Sequence, residues 1–282
     1  GQAHIRQRKL ISSGFTPQMT RRLEDLAREW AVKIVESAIE RETVEFVQEV
    51  AYQLPMHMIA DVLGIPLEDR DWLFALTNDM LLCIDPEHPV PESQRETLSA
   101  QIFGYGQKLS AQKRNAPTDD VLSKLVTVED DLGRLSELEL DAFFMLLTVA
   151  GSETTRNAIS SGLQQLLVEP EQLEAMRRDP SLLKGATEEI IRWSSPVAYF
   201  KRIAAKDTEI SGVPIAEGDR VTLWYPSGNR DENYFDDPFR FDIRRKRNEH
   251  MSFGGGGPHF CLGAHLAKRE ITILFEELLK RT

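Results

Sequence analysis

Apolar residues recur at three- and four-residue steps along most of this chain. Leu23, Leu26, Ala27, Trp30, Ile34 and Ala38 form one such stripe after Thr16-Pro17, a pair suited to opening a helix because proline needs no amide partner in the first turn. The stretch HIRQRKL at the start also reads as helix. From Val44 to Leu63 the period continues to a Gly64-Ile65-Pro66 stop, and another helix is expected through Trp72, Leu73 and Leu76 to Met80. DPEHPVPE, from Asp85, predicts a loop; Gln94 to Arg114 predicts a helix, and Val121 to Val126 a short one after the polar NAPTDD. Ser136 with Glu139 forms a capping box, and no breaker except Gly151 and Gly162 follows before Pro170. That predicts one helix of roughly 30 residues, about 45 Å long. Its apolar run from Phe143 to Ala150 predicts an interior position, which makes the polar run directly after it conspicuous. Pro170 to Arg178 and Leu182 to Trp193 read as helices, while Tyr199 to Ile203, Thr208 to Ile210 and Arg220 to Trp224 read as short strands. Pro226 to Glu249 has no clear period, and a last helix follows from about Leu262 to Lys280. The fold class is mainly α with small β-sheets.

Composition narrows what such a fold is for. At 282 residues the chain allows one large domain or two smaller ones. A formal charge of -11 repels polyanions and excludes a nucleic-acid binder. No run of about 18 apolar residues offers a membrane span. Only Cys83 and Cys261 occur, far apart, so a disulfide framework is not expected and a reducing cytoplasm is the default compartment. The chain opens at Gly1 without an initiator Met or a signal-peptide pattern, and it reads as a fragment.

The chemistry concentrates in two places. FGGGGPHFCLGAHLAKRE, from Phe253 to Glu270, sets Cys261 at the end of a glycine-rich loop and the start of a helix, where free amides and the helix dipole lower a thiol's pKa. Glycines there let the backbone approach a flat ligand. Three other readings stand beside a ligand role: a buried small hydrophobe, a phosphate cradle lacking GK[ST] and G-x-G-x-x-G, and a zinc site from His250, His259, Cys261 and His265 without paired spacing. The second place is AGSETTRN, Ala150 to Asn157, which puts an acid and an alcohol inside an apolar helix. By residue chemistry alone it is either a proton-handling pair or a packing notch with a back-bonded threonine. EEIIRW places Glu189 and Arg192 one turn apart, and DPFRF follows with Arg240.

Taken in order, these segments resemble the cytochrome P-450 superfamily, and the resemblance runs from His4 to the last helix. It implies that family's helical fold, with haem sandwiched between the long central helix and the cysteine loop, and a single catalytic domain over residues 1–282 incomplete at both ends. It implies heme b (iron protoporphyrin IX) with an axial thiolate from Cys261 as the metal ligand. Phe253, Gly254, Gly263, Ala150 and Gly151 would line the haem, and His4, Arg8, Arg202 and His259 would meet its propionates. Thr154 and Glu153 become the catalytic pair that manages protons, and Glu189, Arg192 and Arg240 a buried ion-pair triad behind the loop. Leu146, Val149 and Ala150, with Val197, Ala198 and Tyr199, would wall an apolar substrate pocket.

The implied activity is insertion of one oxygen atom from dioxygen into a C–H bond of a small apolar molecule. Electrons would come from a ferredoxin and its reductase, because the sequence carries no flavin or iron–sulfur motif. Arg6, Lys9, Arg21, Arg22, the run Arg244 to Arg247, Lys268 and Arg269 are candidates for a basic docking face. A haem-binding or haem-sensing protein without oxygenase activity is the alternative; it has no use for Thr154 and Glu153. One more residue stands between Phe253 and Cys261 than in most bacterial members, and with AGSETTRN and LPMHMIADVLGIP this is similar to members that hydroxylate terminal methyls of sterol side chains or methyl-branched lipids.

Overall fold

The computed structural model describes residues 1–12, 15, 17–88 and 90–282, so the Thr16 half of the expected helix start lies outside the described residues. In chain order come helices α1 (Gln2–Ser12), α2 (Pro17–Ile39), α3 (Gln53–Leu63), α4 (Leu67–Leu82), α5 (Glu92–Asn115) and α6 (Val121–Leu125). A two-residue hairpin pair, β1 (Glu129–Asp130) and β2 (Gly133–Arg134), precedes α7 (Glu137–Val168), α8 (Pro170–Arg178) and α9 (Leu183–Ser194). Strands β3 (Tyr199–Ile203), β4 (Thr208–Ile210), β5 (Val213–Ile215) and β6 (Arg220–Trp224), the short α10 (Tyr225–Gly228) and α11 (Ala264–Arg281) complete the order. The chain divides into two compact units, one of residues 1–156 with 262–282, the other of residues 157–261.

In the first unit α2 lies against α3 and α11. Ala27, Ala31 and Val35 of α2 are fully buried and small enough for close helix approach, and α11 brings Ile271, Ile273, Leu274 and Phe275 to the same core. Arg28 pairs with Glu276 (3.0 Å) and Glu277 (2.8 Å), and Arg269 with Glu24 (3.1 Å), along that seam. The helix expected from Val44 to Leu63 is two pieces: a π-turn at Val47–Ala51, closed by Tyr52 N–H on Val47 O (2.8 Å), and then α3. Pro55 explains the break. It has no amide to bond one turn back, so it is accommodated in the first turn of a new helix. Gly64 ends α3 in the left-handed conformation (φ 63), and a Cβ there would lie 2.4 Å from both Asp120 Oδ2 and Lys113 Nζ.

A polar cluster ties α2, α3 and α4 together. The Trp30 indole stacks on His57 at 3.7 Å and donates to Asp61 Oδ2 (2.8 Å), while Arg70 donates to Asp61 Oδ1 (2.6 Å). Arg70 Nη1 also stands 3.1 Å from His57 Nδ1, which must accept because a guanidinium carries donors only. Burial, and after it the Arg70 charge, push the His57 pKa down to about 4.

The capping box at α7 forms as expected: Ser136 N–H and hydroxyl both meet Glu139 Oε2, at 2.8 and 3.0 Å. The helix runs unbroken for 32 residues. Its apolar stretch is less enclosed than its sequence implies, since Phe144 and Thr148 are buried while Leu146 is 57% exposed. Both of its glycines are packing notches. A Cβ on Gly151 would lie 2.8 Å from Ile59 of α3 in the first unit, and one on Gly162 would lie 2.7 Å from Ile190 of α9 in the second.

The second unit holds the strands. β3 pairs antiparallel with β6 from Tyr199↔Trp224 to Ile203↔Arg220. β4 pairs with β5 across Ser211 (φ 51) and Gly212 (φ 81), two left-handed residues that make a tight turn with the twist hairpins favour. β5 was not expected because Pro214 interrupts its short apolar run, and proline is tolerated only where no ladder donor is needed.

Candidate active site

The cysteine loop is built by its glycines. Gly254, Gly256 and Gly257 have φ of 88, 98 and 72, all in the region that favours residues without a Cβ. Gly254 N–H bonds Met251 O (2.8 Å), Phe260 N–H bonds Gly257 O (3.1 Å), and Cys261 N–H closes the loop on Phe253 O (2.9 Å). Cys261 is thereby presented exposed. His259 ends a short 3-10 turn and is exposed, and Phe253 and Phe260 lie 6.3 Å apart. The helix after the loop begins at Ala264, with Gly263 as its N-cap and Ala267 N–H on Gly263 O (2.9 Å). Arg202 stands exposed on β3 with Nη1 on Lys201 O (3.0 Å). Val197 is half-buried, and Ala198 and Tyr199 are exposed.

Behind the loop, in the same unit, Glu189 and Arg192 are wholly buried and paired in a two-point contact at 2.8 and 2.7 Å. The third arm is Arg245, not Arg240. Arg245 Nε stands 3.1 Å from Glu189 Oε2, Asn248 Nδ2 donates to the same oxygen (3.0 Å), and Asp242 N–H donates to Oε1 (2.8 Å). Arg240 offers only its carbonyl, which accepts from Arg192 Nη2 (3.2 Å) and Arg245 Nη2 (2.6 Å), while its side chain is exposed. The cause is the turn before it: Asp237 has φ 49 and Arg240 N–H returns to Asp237 O (3.1 Å), so the backbone faces the cluster. Because Arg245 is engaged here, it is withdrawn from the expected docking face. Arg6, Arg22 and Arg269 are engaged too, with Asp130 (2.9 Å), Asp119 (2.6 Å) and Glu24 (3.1 Å).

His250, considered as a zinc ligand, has Nε2 3.2 Å from Glu188 and accepts Ser252 N–H at Nδ1 (3.3 Å). Among the described residues no three His, Cys, Asp or Glu side chains are grouped to hold an ion. Asn229, fully buried beside Arg192, went unnoticed in the sequence because it lies in the stretch without period.

In the first unit, the polar run of α7 is locally satisfied. Thr154 Oγ1 donates to Ala150 O (2.9 Å), and Thr148 and Ser152 make the same one-turn bond, at 2.9 and 3.0 Å. Gly151 is explained by the approach of Ile59. Glu153 is half-buried and ion-paired with Arg156; burial raises its pKa and the Arg156 charge works against that rise. Arg156 lies over the Tyr52 ring at 5.6 Å, and burial, then Glu153, push the Tyr52 hydroxyl up to about 12. Arg156 was missed, though its spacing from Glu153 is the ordinary one-turn signal. Leu146 and Ala150 are exposed and Val149 is half-buried, while His4 and Arg8 are half-buried on α1.

A sequence model of the family described as cytochrome P-450 matches residues 36–281, running through both units. The methyl-branched lipid omega-hydroxylase of Mycobacterium tuberculosis is 43% identical over 99% of this chain and 66% of its own length. The steroid C26-monooxygenase of Rhodococcus jostii is 42% identical over 98% of this chain and 57% of its own. The chain thus spans less than two thirds of the length of these relatives. A solved cytochrome P-450 of Mycobacterium marinum in complex with pseudoionone superposes with a TM-score of 0.93 at 39% identity, over 99% of this chain and 69% of that one.

Proposed function

This chain belongs to the cytochrome P-450 family, and from that premise we propose that it is the greater part of a haem-dependent monooxygenase acting on a small apolar molecule. When bound, the haem supplies the activation of dioxygen and the insertion of one oxygen atom into a C–H bond, with a thiolate ligand favouring O–O cleavage. Cys261 is the ligand in this reading. The observation that carries it is an exposed thiol at the closed end of a loop of left-handed glycines, braced by the buried Glu189 cluster.

The residues present fit such a group. Gly256 and Gly257 leave open space where a Cβ would stand, so a flat ligand meets backbone there rather than side chain. A soft thiolate is the donor that suits iron in a P-450 haem. Arg202 and His259 of the same unit are exposed cations or potential cations for carboxylates at the ligand's edge, and His4 and Arg8 fill that role by resemblance.

Glu153 is the group that exchanges protons with solvent, and Thr154 Oγ1 is the donor it serves. For Thr154 to donate outward, its hydroxyl turns from the Ala150 carbonyl, a bond it keeps otherwise. Arg156 holds the Glu153 carboxylate in place between transfers. Leu146, Val149, Ala150, Val197, Ala198 and Tyr199 are apolar or aromatic and suit an aliphatic substrate such as a methyl-branched lipid or a sterol side chain. A ferredoxin with its reductase supplies the electrons, and the cytoplasm suits two cysteines that remain thiols. No helix among the described residues is long and apolar enough to cross a membrane.

Reduction of the full-length protein under carbon monoxide gives the red-shifted Soret band of a thiolate-bound haem, and Cys261→Ala abolishes it. A normal haem band, or a colourless protein, overturns the reading.

A further inference from the structure

Asn229 is fully buried between the end of α9 and the segment that enters the cysteine loop. Its side-chain oxygen accepts Met251 N–H (2.6 Å), and its Nδ2 donates to Ser195 Oγ (2.7 Å) and Ser252 Oγ (2.8 Å). Each serine has already committed its one hydroxyl proton, Ser195 to Arg192 O (2.8 Å) and Ser252 to Ile191 O (2.9 Å). Both Oγ atoms can therefore only accept. A carboxamide, with two donors on one side and an acceptor on the other, is the side chain that satisfies all three partners; a carboxylate of the same shape sets lone pairs against lone pairs. The backbone of Asn229 joins in, since its carbonyl accepts from Arg192 Nη1 (2.8 Å). Ser195, at φ 41, is held in a left-handed conformation that costs a serine energy, at the end of α9 where the amide group grips it.

A continuous path follows. Arg192 of the buried ion pair bonds Asn229, and Asn229 bonds Met251 and Ser252. Met251 O receives the Gly254 amide, and Phe253 O receives the Cys261 amide. We propose that Asn229 is a positioning residue that fixes the chain's entry into the cysteine loop and, through it, the direction of the Cys261 sulfur. The second half of this inference rests on the haem-thiolate reading; the first half does not.

The test uses full-length protein, in haem-free and haem-loaded forms, with Asn229→Asp and Gln172→Ala. Gln172 is the control because its carboxamide likewise makes two buried backbone bonds, to Phe241 O (2.8 Å) and from Ile243 N–H (2.9 Å), but holds a different segment of the same unit. In the haem-free protein, Asn229→Asp speeds amide hydrogen exchange across residues 251–261 by about tenfold, the cost of one unsatisfied buried bond, while Gln172→Ala speeds it near residue 243 instead. In the loaded protein under carbon monoxide, Asn229→Asp converts the red-shifted Soret band to the normal one, and Gln172→Ala keeps it. Should Asn229→Asp not fold, Ser252→Ala removes one acceptor and is read the same way, with about threefold faster exchange over residues 251–261. Unchanged exchange in that segment, or a red-shifted band that survives Asn229→Asp, overturns the inference. A wild-type protein without the red-shifted band removes the haem reading, and the exchange result alone then decides the role of Asn229.

Discussion

Glu189 receives hydrogen bonds from Arg192, Arg245, Asn248 and the Asp242 amide with no exposure to solvent, so each donor offsets part of a large desolvation cost. Removing Arg245 strands part of that charge. Arg245→Ala is expected to destabilise the protein by about 3 kcal/mol, whereas Arg240→Ala, which leaves the Arg240 carbonyl in place, changes stability by less than about 0.5 kcal/mol. Denaturant unfolding of the two variants checks this, and equal losses would restore Arg240 to the cluster. The contrast marks where sequence stops being informative. The Glu189–Arg192 pairing is legible because one-turn spacing is a local property, whereas its burial is implied only by the family resemblance, as is the ligand role proposed for Cys261. The choice between Arg240 and Arg245 depends on one left-handed residue, Asp237, in a conformation that an aspartate tolerates but does not dictate. Asn229 is invisible for a related reason: its partners are two hydroxyls and an amide that only the folded chain brings together.

Between elements, the packing of α7 turns on its glycines. A methyl at Gly151 meets Ile59 Cδ1, Cγ1 and Cβ at 2.8, 2.9 and 3.1 Å. Gly151→Ala gains about 1 kcal/mol of helix propensity but overpacks this contact, at a cost of about 1–3 kcal/mol. The single variant is expected to be neutral to destabilising, and pairing it with Ile59→Ala to recover at least about 1 kcal/mol against the sum of the singles. Strict additivity in thermal unfolding would show that α3 does not press on this glycine. The α2–α3–α4 cluster makes a second prediction. His57 titrates near its ordinary value of 6.5 when unfolded and near 4 when folded, so between those values the unfolded chain binds more protons. Its stabilising contribution is complete above pH 6.5 and is lost as pH falls toward 4. The midpoint of thermal unfolding should drop across that window and do so less steeply in His57→Gln; identical pH slopes would remove His57 as the cause. The helices were largely readable from period and capping, down to the Ser136–Glu139 box. The π-turn before α3 was not, although Pro55 carried its signal, because the apolar period runs straight through it.

At the scale of the whole molecule, the partition into two units was not legible, because it depends on α2 meeting a helix at the other end of the chain. Ile271, Ile273, Leu274 and Phe275 of α11 are buried at roughly 1.5–3 kcal/mol each, a sum comparable to the total stability of an ordinary domain. A protein ending after Cys261 is therefore expected to lose cooperative unfolding of the first unit, seen as a broadened thermal transition by circular dichroism. A sharp transition of unchanged midpoint would show that α11 is dispensable. The Arg28–Glu277 pair spans 249 positions of sequence, and that separation has a meaning for biosynthesis. At about 5–20 residues per second, α2 leaves the ribosome roughly 10–50 s before its partner exists. Through that interval its apolar stripe is covered by α3 but not by α11, and residues 157–261 are made before that second cover arrives. Chaperone occupancy on the nascent chain should accordingly begin with the α2 stripe and fall when α11 emerges, so that yield in cells is governed by the arrival of that helix.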